Sequence, residues 1–203
     1  LSAEKTSRAL WEYVQKNALD EYKDVHVLAV HTHGPGLFHT KQPVVGLESL
    51  RGMKIRGGTR VVNDMLVKLG ATPVGMPVPA VTEALSKGVL DGTTIPWEVA
   101  PALKVHELVK HHTTFAGDRA LYVTTFVVAM NKGAYNKLPA DLKKVIDDNS
   151  GLEFSAMIAR TQDVGDNVGR DLAVKAGNKI TELDAAEVQR WKRTAGVVES
   201  DWV

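Results

Sequence analysis

The chain has 203 residues, with 25 Lys+Arg against 24 Asp+Glu (formal net charge +1), 44% hydrophobic and 24% charged residues. This is the balance of a soluble globular protein; it excludes a disordered chain, a collagen and a coiled-coil rod, and it argues against nucleic-acid binding, which needs a dense basic surface. Cysteine is absent, which removes disulfides, thiol catalysis, Cys–zinc sites and iron–sulfur clusters together, and no stretch approaches the roughly 20 apolar residues of a membrane helix.

The sequence opens Leu1-Ser2-Ala3-Glu4 without Met and enters a helical pattern at once, and it ends on Trp202-Val203. It reads as an internal piece of something longer, so the lack of a visible signal peptide carries no information. From Ser2, a candidate N-cap, to about Lys16, the positions of Leu10, Trp11 and Val14 predict a helix. The apolar run 25–30, bounded by His33-Gly34-Pro35-Gly36, predicts a buried strand. A short turn or helix is expected at 47–50 and a strand at 53–56, stopped by Gly57-Gly58. Thr59 then caps a helix with Val62, Met65, Leu66 and Leu69 on one face, closed by Gly70.

Residues 72–78 read as an extended segment broken by prolines. Val81, Ala84 and Leu85 make a short helix ending at Gly88, and a strand follows near 93–97. Residues 100–110 are expected to be helical. The stretch 121–130, rich in Val, Thr, Tyr and Phe, gives the strongest strand signal. Pro139 sits in the first turn of a long helix that carries Leu142, Val145 and Ile146, then Phe154, Met157 and Ile158. This long helix is expected to bridge two lobes. Asp184 and Glu187 have capping-box spacing before a last helix through Val188 and Trp191. Strands alternate with helices throughout, so the class is α/β.

Seven histidines suggest metal at first sight. His106 and His111 fail on geometry, because two ligands on one helical face need i, i+4 spacing. His111 lies at i+5, roughly 140° around the helix, and both are expected at a surface or lobe edge. His31, His33 and His39 can be gathered as three imidazoles for zinc, but hydrogen bonding to loop backbone at a strand end is several times the commoner outcome. No dinucleotide fingerprint, phosphate loop or nucleophile elbow occurs, and no cofactor is expected.

Arg56-Gly57-Gly58-Thr59-Arg60 is more informative. A strand ends on an arginine, glycines allow close backbone approach, and a helix begins whose free N–H groups favour an anion. Arg56 either forks onto a ligand carboxylate or pairs with a neighbour such as Glu48, and local features divide these evenly. Trp97, after the Pro that closes a strand, is a ligand wall or a lobe cap.

Several runs then match a family in order: Leu50-Arg51-Gly52-Met53-Lys54-Ile55-Arg56, Leu69-Gly70-Ala71-Thr72-Pro73-Val74, Ala84-Leu85, Gly88-Val89-Leu90-Asp91-Gly92 with Pro96, Met130-Asn131-Lys132, Leu138-Pro139-Ala140-Asp141-Leu142, and Glu187 to Trp191 with Trp202. They resemble the TRAP-transporter solute-binding proteins over nearly the whole chain. The resemblance implies a two-lobed periplasmic-binding-protein fold with a ligand cleft and an incomplete first lobe in this chain, the signal peptide and first strands lying outside it. It implies residues 1–34 and 121–160 in lobe one, and 35–120 and 161–203 in lobe two.

It further implies a periplasmic, monomeric binding component, not an enzyme, that delivers a small organic acid to TRAP membrane permease subunits. In the family the arginine at the place of Arg56 anchors the ligand carboxylate. Ile95 stands where an Asn is usual, and Pro79-Ala80-Val81-Thr82 replaces a stretch that usually carries Glu. Both departures remove polar groups and favour a monocarboxylate with an apolar or aromatic body. Thr94 is a candidate hydrogen-bond partner, and Ile95, Trp97, Val78 and Phe38 are candidates for an apolar wall. The competing readings are an α/β enzyme that uses the histidines and a ligand-sensing domain.

Overall fold

The computed structural model describes residues 2–117 and 119–202, and the side chain of Trp202 lies outside that description. In chain order the elements are α1 (Ala3–Asn17), β1 (Val25–Thr32), β2 (Leu37–Thr40), β3 (Lys54–Gly57), α2 (Arg60–Lys68), β4 (Thr72–Gly75), α3 (Val81–Ser86), β5 (Gly92–Ile95), α4 (Val105–Leu108) and β6 (His111–Phe115). They continue with β7 (Thr125–Asn131), α5 (Lys132–Asn136), α6 (Ala140–Asp148), α7 (Leu152–Lys175), β8 (Lys179–Leu183), α8 (Ala185–Ala195) and α9 (Val197–Trp202). The chain forms two compact units, one of Leu1–Gly34 with Val123–Gly165 and one of Pro35–Tyr122 with Asp166–Val203.

The first unit is built on the antiparallel pair β1–β7, with His31 opposite Phe126. Side chains of the neighbouring helices take two further backbone donors of β1. Val30 N donates to Ser155 Oγ on α7 at 3.1 Å, and Thr32 N donates to Ser7 Oγ on α1 at 2.9 Å. Both serines are fully buried, as hydroxyls must be when they replace ladder partners for buried backbone donors. Ser2 is the N-cap of α1, and Asp163 of α7 accepts from Ala3 N at 2.7 Å and Glu4 N at 3.1 Å. A carboxylate on otherwise unpaired first-turn N–H groups is stabilising by charge as well as by hydrogen bonding.

The second unit contains a six-stranded sheet in the order β4-β3-β5-β2-β6-β8. β4, β3 and β5 run parallel, β2 is antiparallel to both β5 and β6, and β8 is parallel to β6. One core cluster gathers Phe38, Leu50, Ile55, Val62, Leu66, Phe115, Leu183 and Trp191 between sheet and helices. A second joins Val81, Leu85, Leu90, Ile95, Val105 and Val109 around α3. Each such side chain contributes on the order of 1.5–3 kcal/mol by leaving water. Thr59 caps α2 by accepting from Val62 N, and Gly70 closes that helix at φ +93, as the sequence predicts.

Several expectations need correction. The long helix after Pro139 is two helices, α6 and α7, because Gly151 takes a left-handed φ of +91 between them. Residues 100–110 hold only the single turn α4, since Pro101 interrupts the backbone ladder and Lys104 adopts φ 53. The strand expected at 121–130 begins only at Thr125. Asp184 does cap α8 by accepting from Glu187 N, but Glu187 does not return the bond. Its Oε1 accepts instead from Leu47 N at 3.0 Å and from Trp191 Nε1 at 2.8 Å.

Candidate anion site

Arg56 sits at the C-terminal end of β3, opposite Val74 of β4 and Thr93 of β5. Its side chain is 5% exposed. Nε donates to Met76 O at 3.1 Å and Nη1 points at Thr94 O at 3.5 Å. Glu48, the neighbour that could have neutralised it, is paired with Arg190, whose guanidinium holds the Glu48 carboxyl down at about 2. Among the described residues Arg56 has no carboxylate partner. Burial lowers its proton affinity, yet a guanidinium stays charged at any ordinary pH. A buried cation held only by two carbonyls is a costly arrangement unless an anion completes it.

The surroundings fit that role. A Cβ on Gly58 would lie 3.2 Å from Nη1 and 3.4 Å from Nη2, so glycine there leaves the end of the guanidinium uncrowded. Tyr122 OH donates to Thr94 O at 3.1 Å. Its phenol is pushed up by burial, an effect eased by that bond and by Arg56, and so remains a donor. Tyr122 in turn needs Gly36, where a Cβ would meet the ring at 2.5 Å, and the two backbones exchange hydrogen bonds, Gly36 N to Tyr122 O and Leu121 N to Gly36 O. Tyr122 and Gly36 are missed by sequence reasoning. The glycine reads as a turn and the tyrosine as one more strand residue, 86 positions away, and only the tertiary fold joins them.

The other expected site residues fall differently. Thr94 is fully buried and its hydroxyl donates to Arg56 O at 3.1 Å. With its one hydrogen committed there, it has none to donate to a carboxylate, and its contribution is to hold the Arg56 strand. Phe38 is fully enclosed and packs edge-on against Trp191. Ile95 is 2% exposed within the second core cluster. Both are core side chains rather than walls, because neither presents surface to a ligand. Trp97 packs edge-on against His39 and tilted against His112, which accounts for its burial. Val78, two residues beyond the Met76 carbonyl, is 37% exposed and does offer apolar surface.

The histidines are not gathered as three. His39 lies opposite His112 across β2 and β6, with their Nδ1 atoms 2.7 Å apart. His39 Nε2 donates to Ile95 O at 3.2 Å, so its Nδ1 is bare and accepts from His112 Nδ1–H. The Asn178 amide donates to the His106 carbonyl at 2.9 Å and to His112 Nε2 at 3.0 Å. Each ring is thereby fixed in one neutral tautomer. Burial holds both below the usual imidazole range, His112 at about 4 and His39 well below. His33 bonds loop backbone at Gly34 O and accepts from Thr124 N. Among the described residues no group of three or more His, Asp or Glu is placed to hold a metal ion. No helix there is long and apolar enough to cross a membrane.

Residues 3–200 match the model of the bacterial extracellular solute-binding proteins, family 7. The chain is 54% identical to a TRAP solute binding protein from Rhodoferax ferrireducens T118, solved in complex with copurified benzoate, with a TM-score of 0.94 over 99% of this chain and 63% of that one. It is 48% identical to a marine metagenome TRAP solute binding protein specific for aromatic acid ligands, in complex with 3-hydroxybenzoate, with a TM-score of 0.95 over 99% of this chain and 63% of that one. A solute-binding protein of Albidiferax ferrireducens is 29% identical over 167 residues, which are 79% of this chain and 47% of the relative. The chain thus spans between about half and two-thirds of the length of these proteins.

Proposed function

The chain belongs to the bacterial extracellular solute-binding proteins of family 7, the TRAP-type binding components, and we propose on that basis that it captures an aromatic monocarboxylate through Arg56 and hands it to a membrane permease from the periplasm. The family binds solutes and does not turn them over, so the enzyme reading of the histidines is set aside. The observation that carries the proposal is the buried Arg56 guanidinium with no carboxylate partner among the described residues.

A ligand carboxylate supplies the missing charge and takes the fork in two parallel hydrogen bonds. Val78 supplies apolar surface near the Met76 carbonyl that positions the arginine. The structures with benzoate and 3-hydroxybenzoate, at 54% and 48% identity, support an aromatic body over a sugar acid. The two compact units are proposed to be the two lobes of the periplasmic-binding-protein fold.

A calorimetric competition series tests ligand character. Benzoate and branched 2-oxo acids are expected to bind at least tenfold more tightly than succinate or a sugar acid. A second carboxylate or a row of hydroxyls placed in an apolar site loses its water without a new partner, at about 1–3 kcal/mol per group, and each 1.4 kcal/mol is about tenfold in affinity. Tightest binding by succinate or a sugar acid would sink the aromatic-acid reading.

A further inference from the structure

Two donors converge on one carbonyl beside Arg56. Its Nη1 points at Thr94 O at 3.5 Å, and Tyr122 OH donates to the same oxygen at 3.1 Å. The first distance is long for a charged donor, whose hydrogen bonds to oxygen ordinarily close to below about 3 Å. The guanidinium is thus held loosely at Nη1 and more firmly at Nε, which donates to Met76 O at 3.1 Å. Gly36, Arg56, Met76, Thr94 and Tyr122 all lie in the second compact unit.

The groups around this carbonyl are fixed in place. The Thr94 hydroxyl donates to Arg56 O at 3.1 Å and ties β5 to β3. The Tyr122 ring lies against Gly36, where a Cβ would fall 2.5 Å from it. Their backbones are joined by Gly36 N to Tyr122 O at 3.0 Å and Leu121 N to Gly36 O at 2.9 Å. A guanidinium carries its N–H groups in one rigid plane. With Nε spent on Met76 O, a carboxylate is taken bidentately only end-on, by one N–H of Nη1 and one of Nη2. That end is the one Gly58 leaves uncrowded. A Thr94 carbonyl with no phenol on it would draw Nη1 inward, and the rigid plane would turn the end-on edge with it.

We propose that Tyr122 is a positioning residue for ligand capture: by donating its hydroxyl to Thr94 O, it keeps that carbonyl from drawing Arg56 Nη1 in, and so leaves the end of the guanidinium aimed at the ligand carboxylate. Gly36 belongs to the same device, since only a residue without Cβ lets the phenol reach Thr94 O. The proposal rests on the reading of Arg56 as the carboxylate anchor, and it assigns Tyr122 no contact with the ligand.

The test is a double-mutant cycle read by benzoate calorimetry on the unmodified protein, Tyr122→Phe, Arg56→Ala and the double variant. Tyr122→Phe keeps the ring and its packing, and should weaken benzoate about fivefold, the worth of one neutral hydrogen bond. In the Arg56→Ala background the same change should alter affinity by less than about 1.5-fold, because the group it positions is gone. A crystal structure of ligand-free Tyr122→Phe should show Nη1 drawn in to about 2.9 Å from Thr94 O. No loss in Tyr122→Phe, an equal loss in both backgrounds, or an unmoved guanidinium overturns the positioning role and leaves Arg56 standing as the anchor. Unchanged affinity in Arg56→Ala overturns the anchor, and the proposal with it.

Discussion

Replacing Arg56 by alanine is expected to weaken binding of every carboxylate ligand by about 1.5–3 kcal/mol, or roughly 10- to 150-fold in Kd. The lost bonds are charge-assisted, and the ligand anion is left desolvated and unpaired in the site. Arg56→Lys should recover only part of the loss. A point charge on a flexible stem keeps the attraction, but it cannot hold Met76 O, Thr94 O and both carboxylate oxygens at once as the fork can. The fold should survive both changes, since the β3 register rests on backbone pairing and the core residues Ile55 and Leu66. Unchanged calorimetric affinity in Arg56→Ala, with a normal unfolding transition, would remove Arg56 as the anchor.

The second large effect is on stability in mild acid. His112 is held at about 4 in the fold, and His39, His31 and His33 are also lowered, all chiefly by burial. For a group lowered on folding, the unfolded chain binds the proton first. Stability is then complete above the unfolded imidazole value near 6.5 and is lost as pH falls towards the folded value. His112 alone accounts for a loss of about 3 kcal/mol between pH 6.5 and 4. Glu98, raised by burial, opposes this in part. The paired carboxylates Glu4, Glu48 and Glu153 are lowered and contribute at lower pH, so the loss between 6.5 and 4.5 comes from the histidines, with Glu98 working against it.

Urea midpoints should therefore fall steeply across that interval. His112→Asn should be less stable at neutral pH by about 1–3 kcal/mol, because His39 Nδ1 loses its donor. Its further loss on acidification should be clearly smaller than that of the unmodified protein. A flat profile between pH 6.5 and 4.5 in the unmodified protein would contradict the neutral-pair assignment.

The parts of the fold legible in the sequence are those where one local rule acts alone. α2 is read from a Thr cap, an apolar stripe and a closing Gly, and each does in the structure what the pattern implies. β3 is read from the short segment 53–56 and the glycines that stop it. The central strands β2 and β6 are not legible, for a physical reason. Their sequences, Leu37-Phe38-His39-Thr40 and His111-His112-Thr113-Thr114-Phe115, look half polar. Their buried polar groups are paired across the sheet and to carbonyls, as in His39 with His112 and Thr113 with Val44 O. Polarity in sequence predicts exposure only where partners are lacking, and partnership is tertiary.

The same distinction divides the site. Arg56 stands out because a strand end, two glycines and a helix start are consecutive. The choice between ligand anchor and internal ion pair depended on Glu48, and only the fold shows that Arg190, 142 residues away, takes it. His31 read as a remote metal candidate, because nothing local announces that Phe126 stacks on it. Phe38 and Ile95 read as wall residues from position alone and proved to be core, since a strand end next to a site still has one face turned inward.

The most direct measurement is a crystal structure of the protein with benzoate bound. The account predicts both carboxylate oxygens at about 2.7–2.9 Å from the Arg56 guanidinium. A benzoate carboxylate bound elsewhere, with Arg56 still held by Met76 O and Thr94 O alone, would contradict it.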